Sequence, residues 1–368
     1  MSARGGYPIQ NFSFAVVGMA ATGWLLYVGQ GIVIPILFGA LMAFLLESLS
    51  RAAERIPFIG PHLPYVVRVG LSMIVTFLCL LFVVGLFVNN MDQVVRAAPG
   101  YIEAFSTVAS NAASQFGYEI VVTWQTLQKL FISEIDVQAL VRYGIGSLYS
   151  AAAYIFLVFI YALFFLVEEK HLNRKLSVLF ETPEKEERAR QMLSDIYQRV
   201  GAYITLKTGI NILLGIACWA VLAGFGIYYA SFWAILSGVL NYIPYIGSLI
   251  AVLLPVFVSV GQYGSLETTL ALLVTLVTVQ STVAYFVEPR VLGKRLNLSP
   301  LVILVSLAAW SALWGVAGAL LSVPLTAILA IILEAFARTR PVAVLLSEAG
   351  AIGMNRAPTD TGEPADKA

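Results

Sequence analysis

The stretch Asn241-Tyr242-Ile243-Pro244-Tyr245-Ile246-Gly247-Ser248 decides the fold, because it interrupts an apolar run, Ser231 to Val260, that is too long for one membrane helix. Pro244 brings no amide proton and Gly247 tolerates a sharp turn, so backbone groups are freed there. In lipid each unpaired backbone group costs several kcal/mol, and such a break persists only when buried in protein or lining a polar cavity. The pattern recurs. Leu301 to Leu333 is also over-long and is broken at Trp310-Ser311-Ala312-Leu313-Trp314-Gly315. Between the two, Leu270 to Val287 is one full crossing that ends in Glu288-Pro289-Arg290-Val291-Leu292-Gly293-Lys294-Arg295.

Charge sorts these segments by side. Upstream lie apolar runs at Phe12 to Val28, Ile32 to Leu46, Val66 to Val88, Ile145 to Val167 and Ala202 to Phe225. Arg51, Arg55 and Arg68 follow the second run, and Lys170, Arg174, Lys175, Lys185, Arg188 and Arg190 follow the fourth, so both loops belong in the cytoplasm. The N-terminus is then inside. If Ser231 to Val260 crossed once, Arg290, Lys294 and Arg295 would be delivered outside. A hairpin entering and leaving on the outer side removes the conflict, and the same reasoning with Arg338 and Arg340 makes Leu301 to Leu333 a hairpin from the inner side. Two short full spans per hairpin satisfy the same parity.

Composition demands the same solvent. Hydrophobic residues make up 59% and charged residues 12%, whereas soluble domains carry about a quarter charged residues. The expected fold is all-α, a polytopic membrane helix bundle with two broken or re-entrant helical hairpins in inverted arrangement. Its expected organisation is three crossings over 1–88, an external amphipathic helical layer over 89–144, a crossing and cytoplasmic loop over 145–199, a transport core over 200–337 and a cytoplasmic tail over 338–368. Helical spacing of Ile102, Phe105, Val108 and Ala112, and of Trp124, Leu127 and Phe131, marks the external layer. From Ala357 the Pro, Asp, Thr and Gly content reads as disorder. Met1 to Asn11 carry only Arg4, and no small-residue cleavage site follows the first run, so an uncut first helix is expected.

Several functions are excluded. A net charge of +1 argues against nucleic-acid partners. Cys79 and Cys218 both fall in apolar runs without CxxC spacing, which fits packing rather than a disulfide or zinc. His62 and His171 lie in polar loops, and no GxSxG, HExxH or phosphate-loop pattern occurs, so no enzyme, cofactor or metal site is expected. The partners implied are the lipid bilayer and a small-molecule or ion substrate.

Paired interrupted segments in two halves point to a transporter's substrate site. Asn241 and Ser248 bracket the first break and suit either ligand contact or a structural turn, while Pro244 and Gly247 shape the backbone. Lys207 sits about two turns into its run with Thr208 and Asn211 at helical spacing; a charge at that depth is a functional candidate unless it snorkels to the cytoplasmic surface. Glu288 and Arg290 flank Pro289 and are candidates for ion coupling or gating, each able to pair with the other or with Lys207. Gln280, about two turns earlier than Glu288, extends a polar track into the membrane. Trp310 and Trp314, one turn apart, can stack on a ring-shaped solute or serve packing. Gly315, Gly318 and Ser322 favour close helix contact. Hairpins entering from opposite faces meet only at depth, so Asn241 and Ser248 are expected to share one polar cavity with Trp314 and Gly315.

From Tyr203 onward the chain resembles the autoinducer-2 exporter family of bacterial inner-membrane transporters. The segments that carry the resemblance are Tyr203-Ile204-Thr205-Leu206-Lys207-Thr208, the Asn241 to Ser248 break, Glu288-Pro289-Arg290-Val291-Leu292-Gly293-Lys294 and Leu320-Leu321-Ser322-Val323-Pro324-Leu325-Thr326. Lys207-Thr208 is similar to the branch containing the exporter proper, where many other members carry Gly-Gln. The resemblance implies secondary transport, of the furanosyl signal autoinducer-2 in some members and by sodium or lithium/proton antiport in others. It also implies homopentamers and an elevator-like displacement. Three readings therefore stand: an exporter of an organic solute, a cation/proton antiporter, and a non-transporting scaffold. The runs from Ala202 on supply no midplane carboxylate pair, and a scaffold needs no polar-tipped breaks, so the exporter leads.

The placement of Lys and Arg in the loops predicts cytoplasmic N- and C-termini with 89–143 outside. With Cys79 and Cys218 replaced, Ser106→Cys should react with an impermeant maleimide added to intact cells; reaction only from the cytoplasmic side would overturn the assigned orientation.

Overall fold

An apolar chain in lipid must pair its amides within each segment, and the computed structural model resolves the runs accordingly as helices. It describes residues 8–55, 62–115, 137–180, 182–293, 295–348 and 350. The expectations for Trp124, Leu127, Phe131, Lys294 and the tail from Ala357 lie outside these residues. The elements are α1 (Pro8–Val28), α2 (Gln30–Glu54), α3 (Tyr65–Gln115), α4 (Val137–Leu179), α5 (Pro183–Asp195), a π-helical turn (Ile196–Val200), α6 (Gly201–Gly224), α7 (Ala230–Leu240), α8 (Ile246–Tyr263), α9 (Leu266–Thr282), a second π-helical turn (Val283–Val287), α10 (Glu288–Leu292), α11 (Pro300–Ala335) and α12 (Arg340–Leu346). Among the described residues seven helical stretches are long and apolar enough to cross a membrane, which makes this a polytopic helical membrane protein.

α2, α3 and α4 form one packed group. Leu46, Val69, Phe159 and Ala162 are buried together, and Phe77 meets Phe159 edge-on at 5.3 Å. Gly39 permits the closest approach, since a Cβ there would lie 2.5 Å from that of Tyr161. α3 runs without a break past Asn89 to Gln115. Its extension packs on the hairpin formed by α7 and α8: Phe87 stacks on Phe232 at 4.9 Å, and a Cβ on Gly261 would fall 2.7 Å from the Tyr101 Cα.

Both interrupted runs turn back on themselves, each through a glycine. At the first tip a Cβ on Gly247 would sit 1.8 Å from the Leu240 carbonyl oxygen, so only glycine lets the arms close. Tyr245 adopts φ 61°, ψ −57°, and the Ile246 amide donates to the Pro244 carbonyl at 2.6 Å. That is a γ-turn of the rarer, strained hand. At the other end of this hairpin Gln262 clamps the α6–α7 connection, donating to the Gly226 carbonyl at 2.7 Å and accepting from the Tyr228 amide at 2.9 Å.

At the second tip helical geometry fails at Trp314 and Gly315, the latter with φ 58°, ψ −135°. A Cβ on Gly318 would fall 1.8 Å from the Trp310 carbonyl oxygen, and Trp310 Nε1 donates to Thr326 Oγ1 at 3.2 Å. An unbroken helix would hold residues 310 and 326 about 24 Å apart. The two arms of α11 therefore lie side by side.

This geometry predicts that Gly247→Ala and Gly318→Ala each destabilise the protein by about 1–3 kcal/mol or more. Gly209→Ala, with open space at its Cβ, should be neutral or stabilise by at most about 1 kcal/mol. Thermal unfolding in detergent compares the three; equal effects would show that neither tip is closely packed.

Candidate functional site

The site begins on one face of α6. Tyr203, Lys207 and Asn211 recur at four-residue spacing, which stacks them along the helix, and all three are buried. Lys207 makes an ion pair with Glu288, and the Lys207 and Glu288 side chains are 8% and 24% exposed. Snorkelling is thereby excluded for Lys207. Of the two pairings open to Glu288, the structure selects Lys207 and not Arg290. Arg290 is exposed, donates to the Phe286 carbonyl at 2.9 Å and lies over the Phe286 ring at 5.5 Å.

The π-helical turn before α10 has a definite consequence for Glu288. In a regular α-helix Gln280 and Glu288, eight residues apart, would diverge by roughly 80° around the axis. One extra residue taken up in the wider turn reduces this to roughly 20°, so both face inward. Removing that residue would swing Glu288 away from Lys207.

The first tip completes the cluster. Asn241 Nδ2 donates to Glu288 Oε1 at 3.2 Å and to Asn211 Oδ1 at 2.8 Å, using both of its protons. The Thr208 hydroxyl donates to the Ile204 carbonyl at 2.7 Å and meets the Tyr242 hydroxyl at 2.6 Å. The tip is thus tied to α6 at two adjacent points, and the ion pair is bonded on a further side. Removing one member of such a buried pair leaves an uncompensated charge, at a cost of about 3–5 kcal/mol.

These groups border a cavity of about 440 Å³. Lys207, Asn241, Pro244, Ser248 and Glu288 line it, together with Ile303 and Val323 from the two arms of α11. Arg295, Asn297 and Glu348 line it as well, and the Glu348 amide donates to the Asn297 carbonyl at 3.3 Å. Thr208 and Asn211 act one bond further back, through Tyr242 and Asn241. Gly247 serves the turn against Leu240. Gln280, on α9, is buried and is not part of the lining.

Of the second tip, Trp310, Trp314 and Gly315 are not among the residues that line this cavity. The first tip rests on the arms of α11, with Ile243 packed on Leu307 and Ala319. Trp314 turns instead to the α1–α2 junction, where its indole donates to the Leu26 carbonyl at 3.0 Å within an apolar cluster around Ile34 and Leu321. Trp310 lies tilted against it, with ring centroids 5.2 Å apart. A buried indole N–H seeks an acceptor, and Leu26 supplies one. Both indoles therefore lie among packed apolar side chains and off the cavity lining. Sequence reasoning missed the tyrosines Tyr203, Tyr242, Tyr245 and Tyr285 that also line the cavity; the i, i+4 relation of Tyr203 to Lys207 was the available signal.

In thermal unfolding, Lys207→Met and Glu288→Gln should each destabilise by about 3–5 kcal/mol, whereas K207M/E288Q should recover most of the loss. In the double variant the amide oxygen introduced at position 288 still accepts from Asn241 and no charge is stranded. Additive losses would show that the two residues do not act as a pair.

Comparison with known proteins bears on this arrangement. Residues 13–338 match the model of the AI-2E family transporters. The AI-2 transport protein TqsA of Escherichia coli K12 is 29% identical over 320 residues, 86% of this chain and 90% of that protein. A Haemophilus influenzae protein is 27% identical over 321 residues with the same coverage, and Escherichia coli YhhT is 32% identical over 200 residues, 54% of this chain and 56% of that protein. The names of these last two propose transport and give no substrate. Since the family match spans the α2–α4 group, both broken hairpins and the Lys207–Glu288 pair alike, the chain belongs to the AI-2E transporter family.

Proposed function

We propose that this protein is a secondary transporter of the bacterial inner membrane that exports a small polar organic solute such as autoinducer-2. The observation that carries the reading is the cavity beside Lys207, Asn241 and Glu288, set among helices apolar enough to span a membrane. Its volume falls within the range of about 300–1,000 Å³ typical of small-molecule sites. Its deep charges compensate one another, which suits a solute without net charge. Tyrosine hydroxyls and the Ser248 side chain supply further hydrogen-bonding groups, and ring faces supply apolar contact. The name of TqsA and the Lys207-Thr208 pair both favour autoinducer-2 within this class. Sodium or lithium/proton exchange is less favoured, because the deep carboxylate, Glu288, is already bonded to Lys207 and Asn241.

In this reading both hairpins are re-entrant, the first from outside and the second from inside, with both termini cytoplasmic. The unit of α6, α9 and the two hairpins moves in an elevator-like manner against α2, α3 and α4, within a homo-oligomer for which the family resemblance suggests five copies. The π-helical turns at the inner ends of α6 and α9 are natural places for such motion to begin.

The test is efflux from proteoliposomes loaded with autoinducer-2, with and without a proton gradient. Wild type should release the solute, and K207M/E288Q, expected to fold, should lose at least tenfold in rate. Unchanged efflux from that variant, or exchange of sodium or lithium for protons without solute movement, would overturn the reading.

A further inference from the structure

Two sets of charges line the cavity. Lys207 and Glu288 form its inner pair, whereas Arg295 and Glu348 are exposed. An exposed charge on a membrane protein sits in water and not in lipid, so Arg295 and Glu348 mark the aqueous end of the cavity. Glu348 reaches that end by a strand pairing. After α12 the segment 346–348 runs antiparallel to 297–299, with Leu298 opposite Ser347. The Ser299 amide donates to the Leu346 carbonyl at 3.0 Å, and the Glu348 amide to the Asn297 carbonyl at 3.3 Å. The two strands are held unequally. Leu298 is 7% exposed and packs in one cluster with Tyr203, Ile204 and Val323, which fixes its strand to α6 and α11. Leu346 and Ser347 are half-buried and Glu348 is exposed.

An isolated pairing of two strands is marginal in water, and segments with few buried side chains open at low cost. Ala343 is buried and α12 packs on α11, so 346–348 can part from 297–299 while α12 stays docked. We propose that 346–348 is a strap that closes the aqueous end of the cavity, and that its release admits water and solute there. The strap also bears on a cavity wall. Ser299, which it bonds, is the N-cap of α11 and accepts from the Val302 amide at 3.2 Å, and the next residue of that turn, Ile303, lines the cavity. Release of the strap governs access whatever solute the cavity takes; its part in export rests on the transport reading.

Two experiments test it. In the first, Ser248→Cys in a full chain with Cys79 and Cys218 replaced reports access to the cavity by its rate of reaction with a maleimide in detergent. Ser299→Pro removes the amide that holds Leu346, and Ser299, at φ −70° and ψ 148°, already has a backbone that proline adopts. Ser299→Ala keeps that amide and loses the same N-cap hydroxyl. Labelling should run about fivefold faster in Ser299→Pro than in Ser299→Ala, as loss of one backbone hydrogen bond implies; equal rates would overturn the strap. In the second, Leu298→Cys is combined with Ser347→Cys. Residues opposite each other in such a pair have Cα atoms about 4.5 Å apart, within disulfide range. Oxidation should join them and slow autoinducer-2 efflux about tenfold or more, and dithiothreitol should restore it. Failure of the bond to form, or full efflux with the bond in place, would overturn the strap. If wild type moves no autoinducer-2, the transport reading fails while the labelling comparison still decides whether the strap controls access.

Discussion

The ion pair between Lys207 and Glu288 is the interaction on which the rest of the core depends. A lone charge at that depth would be driven to the surface or neutralised, so each residue is tolerable only because the other is in reach. Bringing them together makes demands along the chain. α6 must present Lys207 inward, the π-helical turn must rotate Glu288 onto the same side, and the first tip must come close enough for Asn241 to bond the carboxylate. The glycine at 247 is what lets that tip close. Helix geometry, a break and a pair of charges thus form one connected requirement.

The two hairpins meet that requirement differently. The first carries polar groups at its tip and lowers them into the core. The second carries two tryptophans at its tip, buries them against α1 and α2, and offers its arms to the cavity instead. The two tips are therefore alike in needing a glycine, Gly247 and Gly318, where the arms close, and unlike in chemistry. This asymmetry explains why the polar cavity sits beside α6 and α10 rather than between the two tips.

Much of this was legible in the sequence because lipid imposes few solutions: apolar runs become helices, breaks must be buried, and basic loops mark one side. The polar candidates Lys207, Asn241, Ser248 and Glu288 stand out by depth alone, and the structure gathers them around one cavity. What the sequence concealed were facts of rotation and direction. Nothing in Val283 to Val287 announces a π-helical turn, so the sequence leaves the face of Glu288 ambiguous between Lys207 and Arg290. Periodicity cannot say whether a tryptophan faces a cavity or a neighbouring helix, which is why the sequence allows Trp314 at the site while the structure seats it at Leu26. A smooth apolar-to-amphipathic passage hid the continuity of α3 past Asn89.

Where solute binds decides the role of the cavity beside the ion pair, and an experimental structure of the protein with autoinducer-2 at saturating concentration locates the solute directly. Solute is expected beside Lys207, Asn241 and Ser248, between the first tip and the arms of α11. Solute seated instead on Trp310 and Trp314, or found only outside the helical bundle, would contradict a transport role for that cavity.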